Sequence, residues 1–144
     1  LLVWSDDYLT GIELIDEQHK TWIDIVNRLE ALLKNPFVDD KYDRIVAALA
    51  ELTDYTDMHF TTEEQLMERI GYRRILSHKV VHNDFVAKIR DVDLAKVDSD
   101  QNAYLLDLTN YILTWISSHI LKTDKRILAD SAFVTGVKLN RIEP

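Results

Sequence analysis

Seven side chains in this sequence of 144 residues could hold metal ions together. All five histidines lie on or beside apolar stripes of helical period, and two carboxylates follow histidines at short spacing. A single buried histidine is more often a hydrogen-bonded core residue than a ligand, but five would each need a partner in the core. A metal cluster would satisfy their lone pairs together. The candidate ligands are His19, His59, Glu63, His78, His82, His119 and Asp124.

Two pairs of these residues are spaced to share one face of a helix. His59 and Glu63 are four residues apart, and so are His78 and His82. Residues four apart on an α-helix project only about 40° from each other, so each pair can bind one metal ion without distorting its helix.

The third pair, His119 and Asp124, does not fit a regular helix. Five residues correspond to about 140° of rotation, which places the two side chains on different faces. The spacing therefore predicts that the helix ends, loosens or carries a π-type bulge near residues 120–123.

The number and type of ligands favour two iron ions. Five imidazoles and two carboxylates are too many for one tetrahedral zinc, calcium and magnesium prefer oxygen, and imidazole with carboxylate suits iron. The chain has no cysteine, which excludes thiolate zinc and iron–sulfur sites. If both carboxylates bridge, the histidines divide three and two, and one ion keeps an open position for a small ligand. The sequence has no Glu-x-x-His pair of the kind found in ferritin-like oxidases, which favours binding over oxidation.

Four amphipathic helices with short connections predict an all-α, antiparallel up-down bundle forming a single domain over 1–144. An N-terminal arm (1–15) would be anchored by Trp4, Tyr8 and Ile12, Asp16 would cap the first helix, and Gly71 would end the second. A C-terminal tail (125–144) contains Ile127, Leu128, Phe133 and Val137, which suggest partial packing. The predicted helices cover about 17–34, 40–70, 73–93 and 100–122.

The apolar stripes of these helices give the predicted core. Ile75, Val81, Phe85 and Ile89 are the core candidates of the third helix. The candidates in the other three helices are Trp22, Ile25, Val26, Leu29, Leu32, Leu33, Ile45, Leu49, Leu52, Tyr55, Leu66, Leu105, Leu108, Ile112, Trp115 and Ile116.

Charge and composition limit the possible partners. The net charge of −8 disfavours binding to nucleic acid or anionic lipid. No apolar run approaches the length of a membrane span, and the lack of cysteine fits a cytoplasmic location. Because the sequence begins without Met and has a long tail, we expect that it could be part of a longer protein.

Four motifs in this sequence resemble the ligand motifs of hemerythrins, specifically the bacterial hemerythrin-like (bacteriohemerythrin) domains. The resemblance extends over about residues 4–124, and Met67, Gly71 and Tyr72 are similar to that family's link between the second and third helices. The motifs are Asp-Glu-Gln-His at 16–19, His-Phe-Thr-Thr-Glu-Glu at 59–64, His-Lys-Val-Val-His at 78–82 and Trp-Ile-Ser-Ser-His-Ile-Leu-Lys-Thr-Asp at 115–124.

The resemblance implies a role for each matched residue. His78, His82 and His119 would hold a coordinatively filled iron, and His19 and His59 would hold the iron with the open position. Glu63 and Asp124 would bridge the two irons together with an oxo or hydroxo group. The apolar pocket for O2 would be lined by Trp22, Ile23, Phe60, Trp115 and Ile116, although these residues could also simply be core. Nitric oxide, azide or chloride could bind at the open iron as well.

Three functions remain open at the level of sequence. The first is reversible O2 binding without catalysis, as an oxygen carrier or store, or as the O2- or redox-sensing domain of a larger signalling protein. The second is a di-iron enzyme, namely an oxidase, a peroxidase or a nitric oxide-handling protein. The third, iron storage or delivery, would require iron to exchange readily, which a buried site with seven ligands disfavours.

Overall fold

Helices pack side by side in the computed structural model, which describes residues 1–37, 41–93, 95 and 102–127. These residues form an antiparallel four-helix bundle and contain no strand, as the sequence predicted. A short 3-10 turn at Asp6–Tyr8 precedes the bundle. The helices are α1 (Glu13–Lys34), α2 (Lys41–Ile70), α3 (Ile75–Arg90) and α4 (Asn102–His119), and a π-helical turn at Ile120–Asp124 continues α4.

The first helix begins four residues earlier than predicted, at Glu13. Asp16 therefore lies inside α1 and is not its N-cap. Its buried carboxylate instead accepts hydrogen bonds from the backbone N–H of Thr10 (2.8 Å), the hydroxyl of Thr10 (2.7 Å) and the N–H of Gly11 (3.3 Å). The aspartate thus fixes the arm against the first turn of α1.

The link between α2 and α3 depends on a glycine in the left-handed region. Gly71 has φ +66°, and the N–H of Tyr72 donates to the carbonyl of Met67 at 2.9 Å. This is the arrangement by which helices commonly end, and it confirms the prediction for Gly71. The third helix is shorter than predicted, and Val81 is 38% exposed, so its assignment to the core was wrong.

The irregularity predicted after His119 is present. The π-helical turn covers Ile120–Asp124, and the N–H of Lys125 donates to the carbonyl of Ile120, five residues earlier. Helical structure continues through Ile127, which is fully buried, so this part of the tail packs as expected. Leu128, Phe133 and Val137 lie outside the described residues.

The buried apolar side chains form three clusters along the bundle. The central cluster includes Trp22, Phe60 and Phe85, and a second cluster lies toward the arm around Ile15 and Met67. A third, around Leu29, Leu33, Ile45, Leu49 and Leu105, fills the opposite end. In the described part of the chain, none of the helices combines the length and apolar character needed to cross a bilayer.

Candidate metal centre

The seven candidate ligands meet in the interior of the bundle, between the central cluster and the cluster near the arm. Their side chains are at most 2% exposed, and those of Glu63 and Asp124 have no exposed surface. The ligands come from every helix: His19 from α1, His59 and Glu63 from α2, His78 and His82 from α3, His119 from α4 and Asp124 from the π-helical turn.

The two carboxylate oxygens of Glu63 face different histidines. Oε2 lies 3.1 Å from His19 Nε2 and 3.0 Å from His59 Nε2. Oε1 lies 3.1 Å from His82 Nε2 and 3.6 Å from His78 Nε2. Glu63 therefore stands between two groups of imidazoles and presents one oxygen to each.

Asp124 divides the histidines in the same way. Its Oδ2 lies 2.9 Å from His19 Nε2, whereas its Oδ1 lies 3.1 Å from His78 Nε2 and 3.0 Å from His119 Nε2. We call His19 and His59 the two-histidine group, and His78, His82 and His119 the three-histidine group. Either group, taken with both carboxylates, has one ligand atom per residue within 4.8 Å of all the others.

Several polar atoms at this point are buried and close to one another but make no hydrogen bond of suitable geometry. They include His59 Nε2, His78 Nε2, Glu63 Oε1 and both carboxylate oxygens of Asp124. Buried polar atoms in proteins are nearly always paired, and a buried carboxylate without a cation is costly. Cations between the two carboxylates would pair these atoms, so the residues fit a metal cluster.

Comparison with known proteins agrees with this geometry. Residues 10–130 match the family model described as the hemerythrin HHE cation binding domain. The chain is 36% identical over 128 residues to a bacteriohemerythrin from Clostridium acetobutylicum, covering 89% of this chain and 99% of that protein. It is 32% identical to a bacteriohemerythrin from Pseudomonas paraeruginosa, covering 85% of this chain and 76% of that one.

This chain belongs to the hemerythrin family. A crystal structure of a wild-type hemerythrin superposes with a TM-score of 0.74 at 29% identity, covering 97% of this chain and 98% of that one. A mutant hemerythrin gives the same TM-score at 30% identity, covering 88% and 93%. The family is thus supported by sequence and by fold independently.

Two polar residues orient histidines of this hemerythrin from outside the cluster. Gln18 Oε1 lies 2.8 Å from His59 Nδ1, and Glu64 Oε2 lies 2.9 Å from His82 Nδ1. Because an amide oxygen or a carboxylate can only accept, each Nδ1 carries the proton. Each Nε2 then directs its lone pair at the cluster, as a metal ligand requires.

Gln18 and Glu64 stand within the ligand motifs, but the sequence predicted no role for either of them. Each is adjacent in sequence to a candidate ligand, Gln18 before His19 and Glu64 after Glu63. However, each one accepts a hydrogen bond from a histidine on another helix. Such a contact depends on how the helices pack and cannot be inferred from sequence spacing.

The buried carboxylates change the protonation of the histidines around them. Burial lowers the pKa of His19, but its contacts with Asp124 and Glu63 outweigh burial and raise it to about 9. The same causes raise the pKa of His78 to about 9, whereas burial lowers that of His59. Burial would raise the pKa of Glu63, but the histidines hold it well below its usual range. Without metal, the cluster therefore retains protons at neutral pH.

Of the five residues predicted to line a pocket, three contact candidate ligands and two lie in the apolar core. The Trp22 ring lies 5.0 Å from His59 and 6.1 Å from His19, between ring centroids. Phe60 stacks on His82 and Trp115 stacks on His119, so both border the three-histidine group. Ile23 and Ile116 are buried in the central cluster. The pocket therefore stays a prediction for all five.

Proposed function

We propose that this chain binds O2 reversibly at two iron ions, as an oxygen carrier or store or as the O2-sensing domain of a larger protein. One observation supports the proposal most directly. Both Glu63 and Asp124 present one oxygen to the two-histidine group and the other to the three-histidine group. Two shared carboxylates and an unequal division of imidazoles suit two metal ions with different numbers of protein ligands.

The proposed ligands have distinct roles. His78, His82 and His119 would hold one iron, His19 and His59 the other, and Glu63 and Asp124 would bridge them. The iron held by two histidines has fewer protein ligands, so a small ligand would bind there. When bound, the iron pair would supply the electrons that make O2 binding strong and reversible.

The protein's own part in this function is to exclude water and to hold the imidazoles. Trp22 covers the two-histidine group and donates its indole N–H to Thr56 Oγ1 at 3.0 Å, so no polar atom of its ring is directed at the site. We propose that Trp22, Ile23, Phe60, Trp115 and Ile116 together keep the whole metal centre dry. A dry site slows the proton entry that would convert bound O2 to released products.

The experiment that tests the proposal combines metal analysis with absorption spectroscopy. We expect two irons per chain, and one or none would reject the cluster. O2 added to the reduced protein should produce a ligand-to-metal charge-transfer absorption, and that absorption should disappear under vacuum or argon. Its loss only on consumption of a reductant would instead indicate a di-iron oxidase or peroxidase.

A second measurement tests the role of the apolar residues. Replacing Trp22 by Phe keeps an aromatic ring and should shorten the lifetime of the O2 adduct while iron content stays unchanged. Loss of iron in this variant would mean that Trp22 supports the ligands structurally. Ile25→Val, a change in the same helix and core cluster, is the matched control and should alter neither quantity.

A further inference from the structure

Three aromatic rings in contact extend from the surface of α3 and α4 to the candidate ligand His119. The centroids of Tyr111 and Phe85 are 6.5 Å apart, and their planes differ by 29°. Phe85 and Trp115 are 3.8 Å apart at 10°. Trp115 and His119 are 4.4 Å apart at 16°. Each ring thus lies roughly parallel to the next.

The outer end of this series is open to solvent. Tyr111 is 40% exposed, whereas Phe85 is 1% exposed. The Lys88 ammonium lies 5.3 Å from the centroid of the Tyr111 ring. A groove of about 310 Å³ borders the tyrosine, large enough for a single-ring molecule; it is lined by Lys88, Asp91, Tyr104, Asp107, Leu108 and Tyr111.

We propose that Tyr111, Phe85 and Trp115 form an electron path between the metal centre and the exposed tyrosine at this groove. The proposal rests on the redox-active metal centre proposed above. It adds a second activity to reversible binding, namely the removal of one-electron oxidising equivalents from the buried centre. The side chains of Trp115 and Tyr111 can each lose an electron, and Phe85 bridges the gap between them.

With hydrogen peroxide as the oxidant at the iron centre, one electron would pass from Trp115 through His119 to the centre. An electron from Tyr111 would replace it through the Phe85 ring. The Tyr111 phenol then loses its proton to water, because the ring is exposed, and becomes a neutral phenoxyl radical. An enediol reductant in solution can transfer one hydrogen atom from its O–H bond to the exposed phenoxyl oxygen, which restores tyrosine.

Packing alone explains only part of this arrangement. Stacked rings are common in protein cores, and Phe85 and Trp115 help fill the space between α3 and α4. Core packing does not explain why one end of the series is a half-exposed tyrosine beside a groove. It also does not explain why the other end is a candidate metal ligand. The proposal can be separated from packing because it predicts where oxidation products form.

The test oxidises the iron-loaded protein with hydrogen peroxide in the absence of reductant. Two Tyr111 phenols on different molecules each lose one electron and one proton and couple through a carbon–carbon bond. One hydrogen peroxide takes up the two electrons and two protons and becomes two water molecules. We expect a covalent dimer with dityrosine fluorescence, mapped to Tyr111 by peptide mass spectrometry. Tyr42 is the internal control, since it is 37% exposed and takes part in none of the ring contacts among the described residues.

Three comparisons decide the proposal. Tyr111 should be modified several-fold more than Tyr42 in the iron-loaded protein, and equally in protein loaded with redox-inert zinc. Trp115→Phe keeps an aromatic ring, and Phe85→Leu opens a gap; both should lower Tyr111 modification several-fold per bound iron, with helicity checked by circular dichroism. An enediol reductant such as ascorbate should suppress the dimer.

Two results would overturn the path. One is equal modification of Tyr111 and Tyr42 in the iron-loaded protein. The other is a preference for Tyr111 over Tyr42 that persists in both variants or with zinc. Failure of the metal centre itself is distinguishable, because it would appear beforehand as the absence of iron in metal analysis.

Discussion

The two histidine groups are held in different ways. In the three-histidine group, two imidazoles have an aromatic ring flat against them: Phe60 is 3.7 Å from His82 at an angle of 1°, and Trp115 is 4.4 Å from His119 at 16°. In the two-histidine group, the Trp22 ring is farther away, 5.0 Å from His59 at 46° and 6.1 Å from His19 at 27°. Each group also has one histidine held by a polar partner, His82 by Glu64 and His59 by Gln18, so the groups differ in how closely rings stack on them.

This difference indicates how one bundle can support two unlike metal positions. Flat stacking prevents an imidazole from swinging, which suits a position that is filled and does not change. A more distant, tilted ring restrains the imidazole less, which suits a position where a small molecule enters and leaves.

The largest effect should come from Glu63, which serves both groups. Replacing it by Ala removes one oxygen from each metal position, so we expect loss of most iron from both. Inductively coupled plasma mass spectrometry measures the iron content directly. Glu68→Ala, one turn later on the exposed side of α2, is the control and should retain full iron. Retention of one iron per chain by Glu63→Ala would contradict a shared carboxylate.

Single histidine variants should affect the two groups unequally. His59→Ala leaves one imidazole in its group, whereas His119→Ala leaves two. We therefore expect His59→Ala to lose its iron almost completely and His119→Ala to bind iron more weakly but retain some. Iron content after dialysis against a chelator measures the difference. The opposite order would mean that the assignment of histidines to the two groups is wrong.

Metal affinity should depend steeply on pH. His19 and His78, one from each group, have a pKa raised to about 9, so both carry protons in the metal-free protein at pH 7. Metal must displace these protons, and its apparent affinity should rise with pH until about 9. The same protons stabilise the metal-free fold below the unfolded pKa of about 6.5, and that contribution is lost as pH rises through about 9.

Titration calorimetry in two buffers of different ionisation enthalpy counts the released protons. We expect release near pH 7.5 and none near pH 10. Proton release that does not change between these conditions would show that His19 and His78 are neutral before metal binds.

A smaller effect is expected from the residue that orients His59. Gln18→Leu removes the acceptor for His59 Nδ1, and loss of such a partner typically weakens metal binding about 10- to 100-fold. The weakening should appear in the two-histidine position alone. Gln65→Leu, on an exposed part of α2, provides the control. Equal weakening of both positions by Gln18→Leu would argue against a local role.

Sequence periodicity predicted most of the fold and could not predict some details. The four-residue spacings and the unusual five-residue spacing of His119 and Asp124 were sufficient to place the pairs and the π-helical turn. The start of α1 was predicted wrongly because Asp16 is a residue type that often caps helices. Its carboxylate instead accepts hydrogen bonds from Thr10 and Gly11, which precede it in the chain. Val81 was predicted wrongly because α3 carries apolar residues on its exposed side as well.

The π-helical turn has a consequence for protein design. A designer who copies these seven ligands onto four ideal α-helices would lose one of them, since each residue of an α-helix adds about 100° and the fifth position after His119 faces away. Moving the aspartate to the fourth position would restore the pairing without the turn. It would also remove the one extra residue that sets the direction of the chain toward Ile127. A minimal artificial version of this centre therefore needs either that insertion or a redesigned end to its last helix.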